Sequence, residues 1–515
     1  MGTLERDIEE QGFEVRQTHI SLVFLGPDRV YKVKKKVDLG FLDYSTLEKR
    51  QHFCELEVEL NRRLAPDVYF GVVPITRDGF GRHSLGGTDE EVEYAVEMKR
   101  LDDGDSAEQR LNAGQLTYAD IDRIAQRLVE FHAAARCDAE TAKYGTTVVI
   151  EGNVRENFEQ TRDSAPNVLD VRELDAIERW QLGFIAERQA LFARRIERGC
   201  VRDGHGDLRL EHCYLTERGV EIIDCIEFNE RFRYGDVCAD LAFLAMDLNW
   251  HERRDLSEAL LAYYARASGD YELYSVVDFY QSYRAYVRGK VSSILERQAR
   301  TEEERTRAAA LARQYYLLAE AYMREPLDRP QLIAVGGMIA SGKTTVAERI
   351  GELTHAPVIQ TDRVRKSRAG VQPLTALKDA AFDGNYTPAQ TEWVYAELLR
   401  CADLVLASGR SVVLDASFRA RAQRRAAREL AAKHGVQFTF VETHAPDDVL
   451  RSRLAERAKS PSLSDGRIEV FDAFRARYEP VEEMPAFEHV RIDTSRPLRA
   501  DHARLARLVK EPTES

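Results

Sequence analysis

Residues 337–344 match the pattern G-x-x-x-x-G-K-[ST] and lie between an apolar segment, LIAVG, and a helix-like segment, TTVAERIGEL. Backbone N–H groups of such a turn and of the following helix converge on one point and stabilise an anion there. The lysine of this pattern reaches the β- and γ-phosphates of a nucleotide, and the final hydroxyl faces Mg²⁺. The pattern predicts a nucleotide-binding loop formed by Gly337, Ala340, Ser341, Gly342, Lys343, Thr344 and Thr345.

Two carboxylates follow other short apolar segments of the same region. Asp362 comes directly after PVIQT (357–361), and Asp415 ends SVVLD (411–415). Because the carboxyl ends of parallel strands meet at one edge of a sheet, we expect both near the phosphates. There Asp362 can accept the proton of a substrate hydroxyl, and Asp415 can hold Mg²⁺ together with Thr344. Arg365, three residues after Asp362, is predicted to bind an anionic part of the substrate.

Arginines recur in two later segments. Arg453 and Arg457 are four residues apart on a predicted helix, so their guanidinium groups point to one side, as a lid over a transferring phosphate requires. A second, basic segment either engages a phosphorylated or polynucleotide substrate or is an ordinary solvated helix. The scarcity of aromatic residues in it argues against single-stranded nucleic acid. Its members are Arg419, Arg421, Arg424, Arg425 and Arg428.

A separate constellation lies near residue 205, in the segment HGDLRLEH (205–212), with Asp224 in EIIDCIEF. Asp207 lies in a predicted loop and Asp224 follows a predicted strand. Kinase-like phosphotransferases divide the work in this way: the first carboxylate orients or deprotonates the hydroxyl, and the second binds Mg²⁺.

The elements that must position these residues fall into two regions. Beyond Pro330, five short apolar runs alternate with helix-like stretches, which predicts a parallel α/β sheet with helices on both faces. Upstream, β-rich segments such as THISLVFL and RVYKVKKKV come first, and helices dominate from about Leu116. A helical pattern over residues 301–323 ends before Pro326 and Pro330, which predicts a domain boundary there.

The region from about Pro330 to Arg507 resembles the P-loop kinase branch that includes gluconate kinases, zeta toxins, chloramphenicol phosphotransferase and the kinase domain of phage polynucleotide kinase. The segments that carry the resemblance are GGMIASGKTT, TDRVRK, VVLDASF and RLAER. The resemblance implies the strand order 2-3-1-4-5, with Asp362 as the base and the helix of Arg453 and Arg457 as the lid.

Most of residues 15–300 resemble the aminoglycoside phosphotransferase and choline kinase family, whose loop reads HGDLHxGN. The resemblance implies that Asp207 is the catalytic aspartate and Asp224 the metal-binding one. Lys32 is the best match to the lysine that touches ATP phosphates and Glu57 to its ion-pair partner. Lys34 and either Glu55 or Glu59 are alternatives, since strand alternation places both lysines on one face.

The first region departs from that family at one metal position. His212 stands where the family has a metal-binding Asn, and a neutral imidazole is a poorer partner for Mg²⁺ than an amide oxygen. Either His212 belongs to an altered metal site, or this region has become a nucleotide sensor. Because both aspartates are present, the working hypothesis is an active kinase.

Composition places the chain among ordinary globular proteins and excludes several classes. Of 515 residues, 44% are hydrophobic and 31% are charged, and the net charge is −13. No apolar run is long enough for a membrane span and the N-terminus is acidic, so we expect a cytoplasmic protein without membrane contacts. Residues 331–515 carry a net charge of +3, and the preceding residues carry −16.

These observations predict a two-lobed, aminoglycoside phosphotransferase-like kinase domain (1–325; α+β) followed by a three-layer α/β P-loop kinase domain (326–515). We expect a bifunctional, Mg²⁺-dependent phosphotransferase that uses ATP, with GTP as an open alternative. The predicted acceptor is a hydroxyl group of a sugar, polyol or amino alcohol. Two alternatives stay open: a nucleic-acid 5′-hydroxyl kinase, and a P-loop kinase that a nucleotide-sensing first domain regulates.

Overall fold

The computed structural model describes residues 3–40, 42–324, 329–371, 375, 382–457, 459 and 466–496. Its contacts divide the chain into two units: Met1–Ser257 with Phe279–Met323, and Glu258–Asp278 with Arg324–Ser515. The predicted boundary between residues 325 and 326 lies outside the described residues. The segment Glu258–Asp278, which the sequence analysis assigns to the first domain, groups with the second unit.

The described residues of the first unit form ten strands: β1 (Glu14–Gln17), β2 (Ser21–Leu25), β3 (Arg29–Lys34), β4 (Tyr69–Arg77), β5 (His83–Leu85), β6 (Glu90–Lys99), β7 (Val201–Asp203), β8 (Cys213–Leu215), β9 (Val220–Ile222) and β10 (Tyr234–Asp236). β1 to β6 form an antiparallel sheet in the order β1-β2-β3-β6-β4-β5. β10 pairs with β7, and β8 pairs with β9. The two short pairs flank the segment 205–212.

The helices from the start of the chain to residue 321 are α1 (Thr3–Glu9), α2 (Leu47–Asn61), α3 (Ala107–Asn112), α4 (Tyr118–Ala134), α5 (Ala139–Ala142), α6 (Thr147–Thr161), α7 (Val171–Glu187), α8 (Gln189–Glu197), α9 (Glu230–Arg233), α10 (Val237–Trp250), α11 (Arg254–Ser268), α12 (Val277–Gln298) and α13 (Glu302–Ala321). α2 packs on the sheet: its Cys54 and Val58 share an apolar cluster with Tyr69, Val96 and Met98. This packing brings α2 against β3 and fixes where polar residues of the two elements meet.

In the second unit, five parallel strands form one sheet: β11 (Gln331–Gly337), β12 (Val358–Gln360), β13 (Val412–Asp415), β14 (Gln437–His444) and β15 (His489–Asp493). Their order is β12-β13-β11-β14-β15. Counted along this unit, the order is 2-3-1-4-5, as the resemblance predicts. The central strand β11 is buried between β13 and β14, which accounts for its continuous apolar run.

The helices of the second unit are α14 (Lys343–Thr354), α15 (Thr361–Arg368), α16 (Pro388–Ala407), α17 (Arg421–Lys433), α18 (Asp447–Arg457) and α19 (Phe471–Arg475). Val346 and Ile350 of α14 pack on Val335, Val413 and Val441 of the sheet. The start of α14 is thereby held at the carboxyl ends of the strands. Across the described ranges, no helix combines the length and the apolar character needed to cross a membrane.

Arg410 explains why the segment Glu258–Asp278 belongs to the second unit. Its Nε atom lies 2.8 Å from a Glu258 oxygen, and its Nη2 atom lies 2.7 Å from Asp278. Burial opposes the charge of Arg410, but the two carboxylates hold its pKa well above the usual value. Two acids and one buried guanidinium therefore anchor both ends of this segment.

The basic segment around α17 is largely engaged in ion pairs. Arg424 is fully buried, and its guanidinium contacts Glu483 at 2.6 Å as well as the backbone oxygens of Phe418 and Glu479. Arg428 pairs with Glu488 at 2.7 Å. These contacts mean that the segment does not present a row of unpaired cations, and they give the nucleic-acid alternative little support.

We expect Arg424→Ala to lower the free energy of unfolding by about 3 kcal/mol, because it leaves buried acceptors without their donor. Arg425→Ala is the matched control: Arg425 is exposed and lies 3.7 Å from an equally exposed Glu429, so its loss should change stability by about 0.5 kcal/mol at most. Thermal and urea unfolding of the full chain measure both. Equal effects of the two substitutions would contradict the structural role of Arg424.

Candidate active sites

The loop from Gly337 to Thr344 connects β11 to α14 and is shaped by backbone conformations that suit glycine. Gly337 has φ +140°, and a Cβ atom there would lie 2.3 Å from the Thr443 carbonyl oxygen. Gly342 has φ +83° and precedes the first turn of α14. A side chain at either position would force the loop away from its path, so the two glycines allow the backbone to curve around a phosphate-sized space.

Hydroxyl groups behind the loop hold it in place. The hydroxyls of Ser341 and Thr443 share a hydrogen bond of 2.6 Å, and Thr443 donates to the Gly336 carbonyl at 3.1 Å. Thr494 donates to the Ser341 carbonyl at 2.8 Å. The loop is therefore braced by β14 and by the residue after β15.

Lys343, Thr344 and Asp415 meet at the front of the loop. Lys343 donates to the Met338 carbonyl at 2.9 Å, and burial lowers its pKa. The Thr344 hydroxyl donates to Asp415 at 2.8 Å. Burial raises the pKa of Asp415 to about 6, although Lys343 and Thr344 oppose this shift. A carboxylate held in this way against a hydroxyl offers hard oxygen ligands, which suit Mg²⁺.

A cavity of about 160 Å³ lies in front of these residues. Asp362, in the first turn of α15, lines it together with Arg365, Lys343, Thr344 and Asp415. The Thr361 hydroxyl donates to the Asp415 carbonyl at 3.3 Å, which ties α15 to the end of β13. The structure thus brings the predicted base, the predicted anion-binding arginine and the phosphate loop to one space.

The two arginines of α18 that are predicted to form the lid, Arg453 and Arg457, have different surroundings. Arg457 lines the cavity. Arg453 instead binds the backbone: it contacts the Thr494 carbonyl at 2.5 Å and hydroxyl at 3.0 Å, and the Ala340 carbonyl at 3.3 Å. The geometry therefore gives Arg457 access to a transferring phosphate, and it gives Arg453 a role in bracing the phosphate loop.

In the first unit, Glu57 of α2 lies between two lysines of β3. It is fully buried, 2.9 Å from Lys32 and 2.7 Å from Lys34. Lys34 also pairs with Glu227, a residue that the sequence analysis missed, and Lys32 pairs with Asp224. Glu55 and Glu59, the sequence alternatives for Glu57, are exposed. Lys32 is the lysine that reaches the predicted metal-binding aspartate.

Asp224 occupies an unusual backbone conformation. Its φ is +67°, and its N–H donates to the Tyr69 hydroxyl at 3.2 Å. Such a conformation in a residue other than glycine is often associated with function. Burial opposes the charge of Asp224, but Lys32 and His212 hold its pKa well below the usual value. Asp224 is therefore ionised, and the cation that it contacts in this structure is Lys32.

The loop that carries Asp207 is fixed from below. The backbone N–H groups of His205 and Gly206 donate to the buried Asp240 of α10 at 2.6 and 2.9 Å. His212 lies with Nδ1 2.8 Å from the Asp207 carbonyl oxygen. Because a carbonyl only accepts, Nδ1 carries the proton, and the lone pair of a neutral ring is on Nε2, 3.6 Å from Asp224. His212 and Asp224 can therefore face one cation.

The carboxylate of Asp207 is held by Arg209, a residue that the sequence analysis did not single out. Arg209 donates to it twice, at 3.2 and 3.0 Å, and also pairs with Glu211. Burial opposes the charge of Asp207, but Arg209 and His212 lower its pKa to about 2. The signal lay in the motif: HGDLRLEH has Arg and Glu where HGDLHxGN has His and Gly.

Both sites fit the groups that the sequence analysis predicts. Within the described part of the chain, no group of three or more His, Cys, Asp or Glu side chains is arranged to hold a metal ion. Mg²⁺ in nucleotide sites usually takes one or two protein carboxylates and completes its shell with phosphate oxygens and water. Asp415 with Thr344 provides such a partial set in the second unit. In the first, Asp224 provides one carboxylate, and His212 provides a nitrogen, which suits Mg²⁺ less well than oxygen.

The chain is similar to several known proteins. A family model described as "AAA domain" matches residues 332–481. The uncharacterized protein Rv2004c of Mycobacterium tuberculosis (strain ATCC 25618 / H37Rv) is 35% identical over 469 residues, 91% of each chain. A gluconokinase from Sinorhizobium meliloti 1021 is 26% identical and covers 36% of this chain and 91% of its own, with a TM-score of 0.25. A choline kinase from Cryptosporidium parvum Iowa II is 12% identical and covers 61% and 90%, with a TM-score of 0.37.

The predicted fold class is confirmed. The second unit has the five-stranded parallel sheet and phosphate loop of a P-loop domain, within the residues that the family model matches. The first unit has the α+β arrangement, with an antiparallel sheet and one packed helix followed by a helical part that carries the Asp207 loop.

Because the pKa of Asp415 is raised in the folded state, we predict that its ionisation lowers the free energy of unfolding, and that this effect depends on pH. Its ordinary value is 3.8 and its folded value is about 6, so between these values the folded state binds the proton more tightly. Stability from this group therefore falls as pH rises from about 4 to about 6. Asp415→Asn should raise the free energy of unfolding at pH 7.5 by on the order of 2 kcal/mol, and by less at pH 4.5.

Unfolding of the full chain in EDTA and without nucleotide, at both pH values, measures this difference. Asp403→Asn is a control of opposite sign. Burial opposes the charge of Asp403, but Lys433 and His434 lower its pKa, so its contribution is present at neutral pH and is lost as pH falls. An Asp415→Asn protein that is less stable than the wild type at pH 7.5 would refute the assignment.

Proposed function

This chain belongs to the family of the uncharacterized Mycobacterium tuberculosis protein Rv2004c, and we propose that its P-loop domain is a Mg²⁺-dependent kinase. In this proposal the domain transfers the γ-phosphate of ATP to a hydroxyl group of a small molecule. One observation carries the proposal: Lys343, the Thr344–Asp415 pair and Asp362 line a single cavity in front of the phosphate loop. This arrangement combines phosphate binding, metal binding and a base.

Each of these residues has a defined task. The backbone of the loop and Lys343 bind the phosphate chain, and Thr344 and Asp415 hold Mg²⁺. Bound Mg²⁺–ATP supplies the phosphoryl group and a neutralising cation. Asp362 orients the acceptor hydroxyl and accepts its proton, and Arg457 stabilises negative charge at the phosphoryl group. Arg453 keeps the loop in position through Ala340 and Thr494.

We propose that the first domain is a second phosphotransfer site, which makes the chain bifunctional. Lys32, paired with Glu57, would contact the nucleotide phosphates, and Asp224 and His212 would hold the metal ion. Asp207 would serve as the base. The contact of Arg209 with both oxygens of Asp207 must open before that carboxylate can accept a proton.

The Arg209 contact also supports the alternative in which the first domain senses a nucleotide and regulates the second. While Arg209 holds the Asp207 carboxylate, that carboxylate does not accept a proton and the site does not catalyse transfer. The cluster of Lys32, Glu57 and Asp224 still suits nucleotide binding. The nucleic-acid alternative remains a prediction without a supporting contact in the basic segment. Cytoplasmic location and the preference for ATP over GTP likewise remain predictions.

We expect Lys343→Ala and Asp362→Asn each to lower phosphoryl transfer by the P-loop domain about 100-fold or more, because one loses phosphate contacts and the other the base. Lys433→Ala is the matched control, since Lys433 is exposed and pairs only with Asp403 among the described contacts. Transfer of labelled phosphate from ATP to pooled hydroxylated metabolites measures the effect. Full activity of Asp362→Asn would remove that residue from the mechanism.

The role of the first domain is tested in the Lys343→Ala background. If the domain is catalytic, turnover remains there and disappears with Asp207→Ala. If Arg209 restrains Asp207, Arg209→His should increase that residual turnover by on the order of tenfold, since charged hydrogen bonds of this kind contribute about 1.5 kcal/mol or more. Absence of any turnover in Lys343→Ala and in Lys343→Ala/Arg209→His would favour the regulatory alternative.

A further inference from the structure

The cavity of the P-loop domain has more positive charge than a nucleotide alone requires. Among the described residues that line it, five are Lys or Arg and two are Asp. Lys343 and Arg457 lie where the nucleotide phosphates are expected, at the phosphate loop and the end of α18. Of the other three, Arg365 lies on α15, Arg419 lies in the segment after β13, and Arg467 lies beyond α18.

Arg365 is the most enclosed of these cations. It is 7% exposed, one of its amino groups donates to the Asn385 carbonyl at 2.5 Å, and it lies over the Tyr386 ring at 4.4 Å. Its Nε atom is buried and has no hydrogen-bond partner among the residues that the structure describes. A buried guanidinium N–H without an acceptor is costly, so this group is expected to bind an acceptor that a ligand supplies.

Arg419 lies near Arg365 and has no carboxylate partner among the described residues. Its guanidinium contacts only aromatic faces, at 4.6 Å from the Phe382 centroid and 5.2 Å from that of Phe474. Arg477 covers Phe382 from 3.7 Å. Burial lowers the pKa of Arg419, and the nearby charges of Arg477 and Arg365 lower it further. Like charges that lie close together repel one another, and a ligand anion between them would relieve that repulsion.

We propose that Arg365 and Arg419 form an anion subsite for the phosphoryl acceptor, which therefore carries a carboxylate or a phosphate group besides its hydroxyl. This inference rests on the proposed kinase function of the same cavity. Planar guanidinium groups bind both kinds of anion through paired N–H···O contacts. The subsite narrows the acceptor class, because an amino alcohol would be repelled and a neutral polyol would leave the arginines without a counterion.

The position of the subsite limits the size of the acceptor. Asp362 and Arg365 are three residues apart on α15, which corresponds to a rise of about 4.5 Å along the helix. Both residues line the same cavity, so the hydroxyl that Asp362 activates and the anion that Arg365 binds must fit together in that space. The aromatic rings of Phe382, Tyr386 and Phe474 supply the apolar wall beside them.

Three compounds with the same carbon skeleton test the proposal: glycerol, glycerate and glycerol 3-phosphate. Their binding to the full chain is measured by calorimetry with the phosphate loop saturated by Mg²⁺ and a non-hydrolysable ATP analogue, so that the probes cannot occupy the loop. We expect at least one anionic probe to bind on the order of tenfold or more tightly than glycerol. Arg419→Ala and Arg365→Ala should remove this preference, and Arg425→Ala, which lies outside the cavity, should retain it.

The outcomes separate this inference from the proposed function. If the ATP analogue fails to bind, the kinase proposal itself fails. If the analogue binds but both anionic probes bind no better than glycerol, or if Arg419→Ala retains the preference, the anion subsite is wrong. Preference for glycerate identifies a carboxylate acceptor, and preference for glycerol 3-phosphate identifies a phosphate acceptor. Binding of a 5′-hydroxyl oligonucleotide while both small anions fail would overturn the small-molecule acceptor.

Discussion

The pairing of β11 with β13 is the constraint on which the chemistry of the second unit depends. Val335 lies opposite Asp415 in the parallel register, so the carboxylate that ends one strand faces the loop that follows the other. The hydrogen bond from Thr344 to Asp415 then joins the first turn of α14 to the end of β13. Because α15 follows β12 on the other side of β13, the same edge also receives Asp362. One register thus sets the positions of the phosphate, metal and acceptor groups.

In the first unit, the main constraint is different: several charged side chains are buried close together and must stabilise one another. Glu57 has no exposed surface, and two lysines satisfy it. Burial opposes its charge, but Lys32 and Lys34 still hold its pKa below the usual range. The same lysines reach Asp224 and Glu227, so that the sheet and the helical part share one charge network. Arg209 likewise forms an ion pair with Asp207. Balanced charge keeps the site ordered, and it also means that a ligand must replace a partner that is already present.

Short patterns in the sequence predicted the features that the backbone of a short segment determines. The phosphate loop, the strands and the placement of Asp362 follow from short segments, and strand alternation placed Lys32 and Lys34 on one face. Contacts between distant segments were not accessible in this way. Arg453 binds Thr494, 41 residues later, rather than sharing the surroundings of Arg457. Arg419, read as part of a basic helix, lies before α17 and joins Arg365 and Arg477 only through the tertiary fold. The contact of Arg209 with Asp207 depends on the folded path of the loop, which the motif alone does not give.

The second unit consists of two stretches of the chain, and Arg410 holds one of them, Glu258–Asp278, in place. A protein cut at the sequence boundary near residue 325 would keep Arg410 and lose both of its acids. It would also lose Tyr274, whose ring lies 5.7 Å from the Arg410 guanidinium. The stretch of chain after residue 325 is therefore only a part of the P-loop domain, which also includes Glu258–Asp278. The two stretches of this domain are separated by residues 279–323 of the first unit. Exchanging this domain between homologous proteins would therefore require transferring both stretches.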